Sequence, residues 1–210
     1  MKPTSAPLPF ALGVVILAAG RSARMGQPKL LLPWDDTTVI GHLIRQWQTL
    51  RAQCITAVCA PGDHVMRHEL ERLVFPAEHV IENPTPERGM FSSIQCASRW
   101  PEWPGDLTHW AIVLGDQPHL RVETLERVLG VAAYRPDQIV QPSRDRHGRH
   151  PVIIPKALFS ELGSTAAATL KEFLTAKSRQ IMLCEVNDPG FDLDVDCPED
   201  YAKALALRPR

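Results

Sequence analysis

Apolar residues along this chain fall into short unbroken runs. Between the runs lie stretches whose apolar positions recur every three or four residues. Residues 12–17 are apolar with no polar alternate, the pattern of a strand covered on both faces. Residues 36–38 supply cap-forming side chains, and 39–50 then read as an amphipathic helix. A second buried strand covers 54–60 and stops at Pro61-Gly62; Asp63 caps a helix reaching about residue 73. A short strand at 78–81 runs into the turn-rich Asn83-Pro84-Thr85-Pro86, and 89–99 reads as a helix with Ser92 and Ser93 in its first turn. Residues 110–114 are another buried strand, ended by Gly115-Asp116-Gln117-Pro118. The pattern then predicts a helix at 122–133, a strand at 138–141, a polar basic loop at 143–150 and an edge strand at 152–154. It ends with a helix at 166–176, a strand at 180–185 and a closing helix at 198–207 with Pro198 at its start.

Strands and helices alternate over the first 140 residues. That implies βαβ units and an α/β fold: a Rossmann-like, three-layer α/β/α arrangement around a mostly parallel sheet. With short linkers and no repeat, residues 1–210 read as a single domain. Ligands of such sheets bind beyond the carboxyl ends of the strands, near a topological switch. The chemically suggestive stretches, residues 19–29, 83–93 and 115–118, fall at those ends.

Composition narrows the function. The formal net charge is −1, so no global field draws the chain to nucleic acid or an anionic membrane, and any anion site is local. The five cysteines are scattered, odd in number and contain no CxxC pair; this fits reduced thiols in a cytoplasmic protein and argues against a zinc site. The apolar run at 10–19 is preceded only by Lys2 and interrupted at its flank by Pro7 and Pro9. At about ten residues it is too short to span a bilayer, so a buried first strand explains it better than a signal peptide.

Residues 17–29 hold the strongest chemical signal. Gly20 and Gly26 let backbone approach a ligand, and Arg21, Arg24 and Lys29 bring three cations within nine residues. A triphosphate needs that mixture of free N–H groups and positive charge. The loop is neither a Walker A motif, since Gly26 is followed by Gln27 and Lys29 follows Pro28, nor a GxGxxG turn. A solvated basic turn is the alternative on composition alone.

The order of residues in 17–32, Leu-Ala-Ala-Gly-x-Ser-x-Arg-Met-Gly-x-Pro-Lys-x-Leu-Leu, resembles the opening of the MobA-like nucleotidyltransferases, and within them the molybdenum cofactor cytidylyltransferase branch. Further matches are Asn83-Pro84 with Gly89-Met90-Phe91-Ser92-Ser93, Leu114-Gly115-Asp116-Gln117-Pro118, Gly148-Arg149-His150-Pro151-Val152 and Asp194-Val195-Asp196-Cys197-Pro198-Glu199-Asp200. The resemblance implies a nucleotide-binding part at about 10–120 and an acceptor-binding part at about 121–210. It implies that Leu17, Ala18, Ala19, Gly20, Arg21, Ser22, Gly26 and Lys29, with Asn83, Ser92 and Ser93, form the nucleotide pocket. Lys29 and Arg24 would hold phosphate oxygens, with Asp116 as the third catalytic residue. The guanine-using branch reads Leu-Ala-Gly-Gly where this chain has Ala19, so the resemblance points to CTP.

Transfer of a nucleotidyl group is mostly positioning and charge neutralisation. Mg²⁺ takes one or two carboxylates, with phosphates and water completing its shell. Asp116 is either a turn aspartate or such a ligand; the resemblance makes it the ligand and maps a second metal contact to Asp196. Asp192, Asp194 and Asp196 share one side of an extended segment by their spacing, which leaves Asp194 as an alternative ligand. Cys197 stands where the family usually has threonine, and Glu199 and Asp200 suit the first turn of a helix. Arg144, Arg149 and His150 are assigned to a phosphorylated pterin acceptor, although Arg149 interrupts the family's Gly-His-Pro. The implied reaction is Mg²⁺-dependent cytidylyl transfer from CTP to molybdenum cofactor, with a molybdoenzyme or its insertion chaperone as a further partner. The alternatives are a related transferase acting on a sugar phosphate or other phosphate ester, and a non-catalytic cofactor carrier.

Overall fold

The computed structural model describes residues 10–208. Lys2, Pro7 and Pro9, which flank the first apolar run, lie outside the described residues. In chain order the elements are β1 (Leu12–Leu17), β2 (Pro33–Trp34), β3 (Thr37–Thr38), α1 (Val39–Thr49), β4 (Cys54–Cys59), α2 (His64–Arg72), β5 (Val80–Glu82) and α3 (Met90–Ser98). There follow β6 (His109–Leu114), α4 (Val122–Tyr134), β7 (Ile139–Arg144), β8 (His147–Gly148), β9 (Val152–Pro155), α5 (Lys156–Leu162), α6 (Leu170–Ala176), β10 (Ile181–Glu185) and α7 (Pro198–Ala206).

The main sheet has eight strands in the order β10, β7, β9, β6, β1, β4, β5, with β8 pairing β7. Strands β1, β4, β5 and β6 are mutually parallel, β10 is parallel to β7, and β9 runs antiparallel between β6 and β7. Alternation along the strands builds two cores. Val14 and Ile16 face Ile40, Leu43, Trp47, Met66, Leu70, Leu125 and Val128 of α1, α2 and α4. Val15 and Leu17 face Phe91, Ile94, Phe159, Leu162 and Phe173 of α3, α5 and α6. With both faces covered, β1 has no use for polar alternates, which is why its sequence reads as an unbroken apolar run. The fold is the three-layer, mostly parallel α/β class expected from the sequence, and among the described residues no helix is long and apolar enough to cross a membrane.

Three expectations need correction. Residues 143–150 are not simply a loop: β7 continues through Arg144, turns at Asp145 and Arg146, both at positive φ, and returns as β8. Residues 152–154 are not an edge strand. All four residues of β9 are buried, because β6 and β7 flank the strand on either side; a run of β-branched residues is what such a central position demands. The helix expected from 166 begins at Leu170, where the Thr169 side chain accepts from the Glu172 N–H at 3.1 Å and caps it. Helix α5, which starts directly from the end of β9, went unassigned in the sequence.

After β1 the chain builds β4 and β5 on one side, then places β6 on the other. The switch point therefore lies between β1 and β6, whose ends are level, Leu17 opposite Leu114. The loops leaving these two strands open a crevice there.

Candidate active site

The loop after β1 is held by its apolar members. Ala18 and Met25 are buried in the core, so residues 19–24 are held out between them at the mouth of the crevice, and Leu30 is buried at the far end of the loop. Met25 N–H donates to the Ser22 carbonyl at 3.0 Å, and Lys29 N–H donates to Ser22 Oγ at 3.1 Å. Ser22 sits at φ 49 and Gly26 at φ 71; a serine in the left-handed region is a strained position of the kind found at ligand-binding loops.

Lys29 reaches from this loop to two carboxylates brought by distant segments. Its Nζ lies 2.7 Å from Asp116 Oδ2, just beyond β6, and 3.2 Å from Asp196 Oδ1, just before α7. Arg24 Nη2 donates to Asp196 Oδ2 at 2.7 Å. Burial works against the Lys29 charge, but Asp116 and then Asp196 outweigh it and hold the ammonium above its ordinary pKa. Asp116 and the segment carrying Asp196 are also tied through backbone, Val195 N–H donating to the Asp116 carbonyl at 3.0 Å.

A cleft of about 520 Å³ opens over this cluster, within the size range of small-molecule sites. Leu17, Ala19, Gly20, Arg21, Ser22 and Lys29 form one wall, Pro86, Glu87, Gly89, Met90 and Ser93 the other, with Gly115 and Asp116 beneath. Gly115 is required by space: a Cβ there would lie 2.7 Å from Leu30 Cδ2 and 2.8 Å from the Leu17 carbonyl oxygen.

Not every expected pocket residue lines this cleft. Ala18 is buried in the core behind it, and Gly26 serves the turn rather than the wall. Asn83 and Ser92 form a scaffold: the Asn83 amide donates to Ser92 Oγ at 2.8 Å and Ser93 Oγ at 2.9 Å, while Ser92 Oγ donates to the Gly89 carbonyl at 2.7 Å. A wholly buried amide must spend its donors internally, and here it does so by shaping the turn before α3. Of the three, Ser93 reaches the cleft. Pro86, Glu87 and Met90 also belong to the wall; they fall within the stretch 83–93 that the sequence marks, which does not single them out as pocket residues.

A second cavity of about 360 Å³ adjoins the first and shares Leu114 with it. Gln117, Gly148, Arg149, His150, Phe191, Asp192 and Asp194 line it. Its cations are not the free basic loop that the sequence suggested. Arg144 Nη1 and Arg149 Nη2 both pair with Asp192, at 2.5 and 3.0 Å. The His150 Nδ1 lies 3.2 Å from the Ile112 carbonyl, and burial pushes its pKa down against the opposing pull of that carbonyl and of Asp116. Asp194 accepts from Gln117 Nε2 at 2.9 Å, and its pKa is raised by burial and then by Asp116. The three alternating aspartates thus take three different partners: arginines, an amide and the Lys29 cluster. At the start of α7, Cys197 leaves the helix backbone uncapped, and its thiol donates to Asp200 instead.

The chain matches the MobA-like NTP transferase domain over residues 14–181. It belongs to that family. This MobA-like transferase is 24% identical over 196 residues to the molybdenum cofactor cytidylyltransferase of Escherichia coli (strain K12), spanning 92% of this chain and 95% of that one. Among solved structures, Rv0371c of Mycobacterium tuberculosis H37Rv is similar at a TM-score of 0.70 and 26% identity, covering 94% of this chain and 98% of that one. A manganese complex of Rv0371c gives 0.68 at 24% identity, with the same coverage. A nucleotidyl transferase from Methanothermobacter thermautotroptrophicus shares the fold at a TM-score of 0.76 and 18% identity, covering 93% and 96%. The MobA-like chain is thus a nucleotidyltransferase, and the carrier alternative is set aside.

Hard oxygen donors suit a divalent ion at Asp116 and Asp196. Asp116 Oδ1 is buried with no hydrogen-bond partner among the described residues. Among those residues no cluster of three or more ligating side chains exists. Two carboxylates with open positions match an ion whose shell phosphates complete, not an all-protein cage.

Proposed function

We propose that this MobA-like transferase moves the cytidylyl group of CTP onto the phosphate of molybdopterin-bound molybdenum cofactor, in a Mg²⁺-dependent reaction of the cytoplasm. The acceptor phosphate oxygen attacks the α-phosphorus of CTP, the bond to the bridging α–β oxygen breaks, and pyrophosphate leaves with molybdopterin cytosine dinucleotide as the other product. A molybdoenzyme or its insertion chaperone receives that product.

The carrying observation is the meeting of Lys29, Arg24, Asp116 and Asp196, with Lys29 and Asp116 lining a cleft that shares Leu114 with a second cavity. The larger takes CTP: the Gly20–Ser22 backbone and Arg21 face the phosphates, and Ala19 borders the base. Its methyl group, where the guanine-using branch has glycine, supports cytosine. The smaller takes the pterin phosphate against Arg149 and His150, with Arg144 reaching it through Asp192, the partner it shares with Arg149. When bound at Asp116 and Asp196, Mg²⁺ supplies neutralisation of phosphate charge. Lys29 then exchanges carboxylate partners for phosphate oxygens, and Arg24 follows. Both are charge-stabilising groups aimed at the transferring phosphoryl centre. No side chain here has to act as a nucleophile.

Turnover of α-labelled CTP with purified molybdenum cofactor and Mg²⁺ tests the reading. The expected result is a labelled dinucleotide with one pyrophosphate per transfer. Absence of pyrophosphate with every phosphorylated acceptor overturns the function, and faster transfer from GTP overturns the base assignment.

A further inference from the structure

Two buried polar side chains have no part in that chemistry. His119 is 1% exposed and Asp188 2%. They arrive from the turn after β6 and from the segment between β10 and α7, and both act on one backbone point, Gly190. Asp188 Oδ1 accepts from the Gly190 N–H at 2.9 Å, and its Oδ2 accepts from the Arg121 N–H at 3.1 Å. His119 Nε2 donates to the Gly190 carbonyl at 2.9 Å. Residue 190 has no room for a side chain: a Cβ would lie 2.9 Å from His119 Cδ2 and 3.1 Å from Asp188 Oδ1. Burying an imidazole and a carboxylate is costly unless their hydrogen bonds are made. Here His119 Nδ1 has no partner among the described residues, and the bonds of His119 Nε2 and Asp188 Oδ1 converge on the residue from which the aspartate-bearing segment departs.

Downstream of Gly190 come Asp192, which holds Arg144 and Arg149, and Asp196, which meets Lys29 and Arg24. Before α7 this segment is otherwise held by Phe191 and Val195, both buried in the core. Its backbone bonds are Phe191 N–H to the Asp188 carbonyl at 3.3 Å, Leu193 N–H to the Gly190 carbonyl at 3.2 Å and Val195 N–H to the Asp116 carbonyl at 3.0 Å. The turn bearing His119 is the same turn that bears Asp116.

We infer that His119 and Asp188 are positioning residues, a pin at Gly190 that fixes Asp196 opposite Asp116 and holds Asp192 against the acceptor-side arginines. One clamp thereby sets the geometry of both subsites. The inference deepens the proposed function and rests on Asp116 and Asp196 as the metal pair.

Mn²⁺ titrated into the full chain with CTP, free ion being counted by electron paramagnetic resonance, tests the pin without turnover. His119→Leu should weaken Mn²⁺ binding about tenfold or more, the range of residues that orient metal ligands. His119→Gln, which can again present a donor to the Gly190 carbonyl, should recover most of it. The double variant His119→Leu with Asp196→Asn should bind no worse than Asp196→Asn alone, since the pin acts through Asp196. Asp188→Asn should follow the same pattern and serves if His119→Leu does not fold. Unchanged affinity in His119→Leu beside a weakened Asp196→Asn overturns the pin alone, as does full additivity in the double variant. Unchanged affinity in Asp196→Asn overturns the metal assignment beneath it.

Discussion

Replacing Lys29 with methionine separates two roles that its ammonium plays. The side chain is 16% exposed and faces Asp116 and Asp196 at 2.7 and 3.2 Å. Opposite charges with centres about 4 Å apart attract by about 4 kcal/mol at an effective dielectric near 20. After desolvation, hydrogen bonds to charged groups retain about 1.5–3 kcal/mol. For a chain of this size that is a fall of about 3–12 °C in the unfolding midpoint in the absence of divalent ions. Lys29→Met also leaves two carboxylates facing each other uncompensated, so Mn²⁺ should bind the nucleotide-free variant more tightly than wild type and restore much of the lost midpoint. Transfer should nonetheless fall about 10²–10³-fold, the effect of removing one preorganised donor from a site of developing charge. Differential scanning fluorimetry with and without Mn²⁺, beside single-turnover rates, reads all three quantities. A variant with near-normal transfer, or with divalent affinity unchanged in sign and size, refutes the reasoning.

Gly115→Ala should destabilise the protein by about 1–3 kcal/mol through overpacking against Leu30 and the Leu17 carbonyl, measurable by urea unfolding. Asp192→Asn should raise the KM for the pterin acceptor severalfold while leaving the KM for CTP in place; its partly exposed ion pairs are each worth under about 1 kcal/mol to stability. Burial lowers the pKa of His42, His109 and His119. Below about pH 6.5 the unfolded chain takes up protons at these residues that the folded one refuses. Their contribution to stability is therefore present above that pH and is lost as pH falls through it, so the thermal midpoint should drop between pH 7 and 5. A midpoint that rises over that interval contradicts the assignment. Lys29, raised above its ordinary value, stays charged throughout that interval and contributes no acid limb.

The parallel half of the sheet was legible because each of its strands is buried on both faces and says so in unbroken apolar runs, as in residues 12–17 and 110–114. Strand β9 carries the same signature, yet a strand's direction and neighbours leave no mark on composition, and its central place was missed. Helix α5 was missed because it follows β9 with no linker to punctuate the boundary. At the site, the glycine-bounded loop and Asp116 could be read from residue type and order. The pairing of Arg144 and Arg149 with Asp192 could not, since ion pairs spanning 48 and 43 residues depend on where the strands lie. Residues 83–93 were marked as a stretch, but that Pro86, Glu87 and Met90 are the ones lining the cleft depends on the reach of a turn.

The reversed direction of β9 has an architectural consequence. In an all-parallel sheet each strand offers the ligand end only the residues that follow it. Because β9 points away, it is the chain entering it, residues 148–151, that stands at the rim beside Asp116. The link between β8 and β9 is therefore the place where a residue exchange would remodel one substrate's compartment, while the wall built by β1, α3 and β6 keeps its spacing.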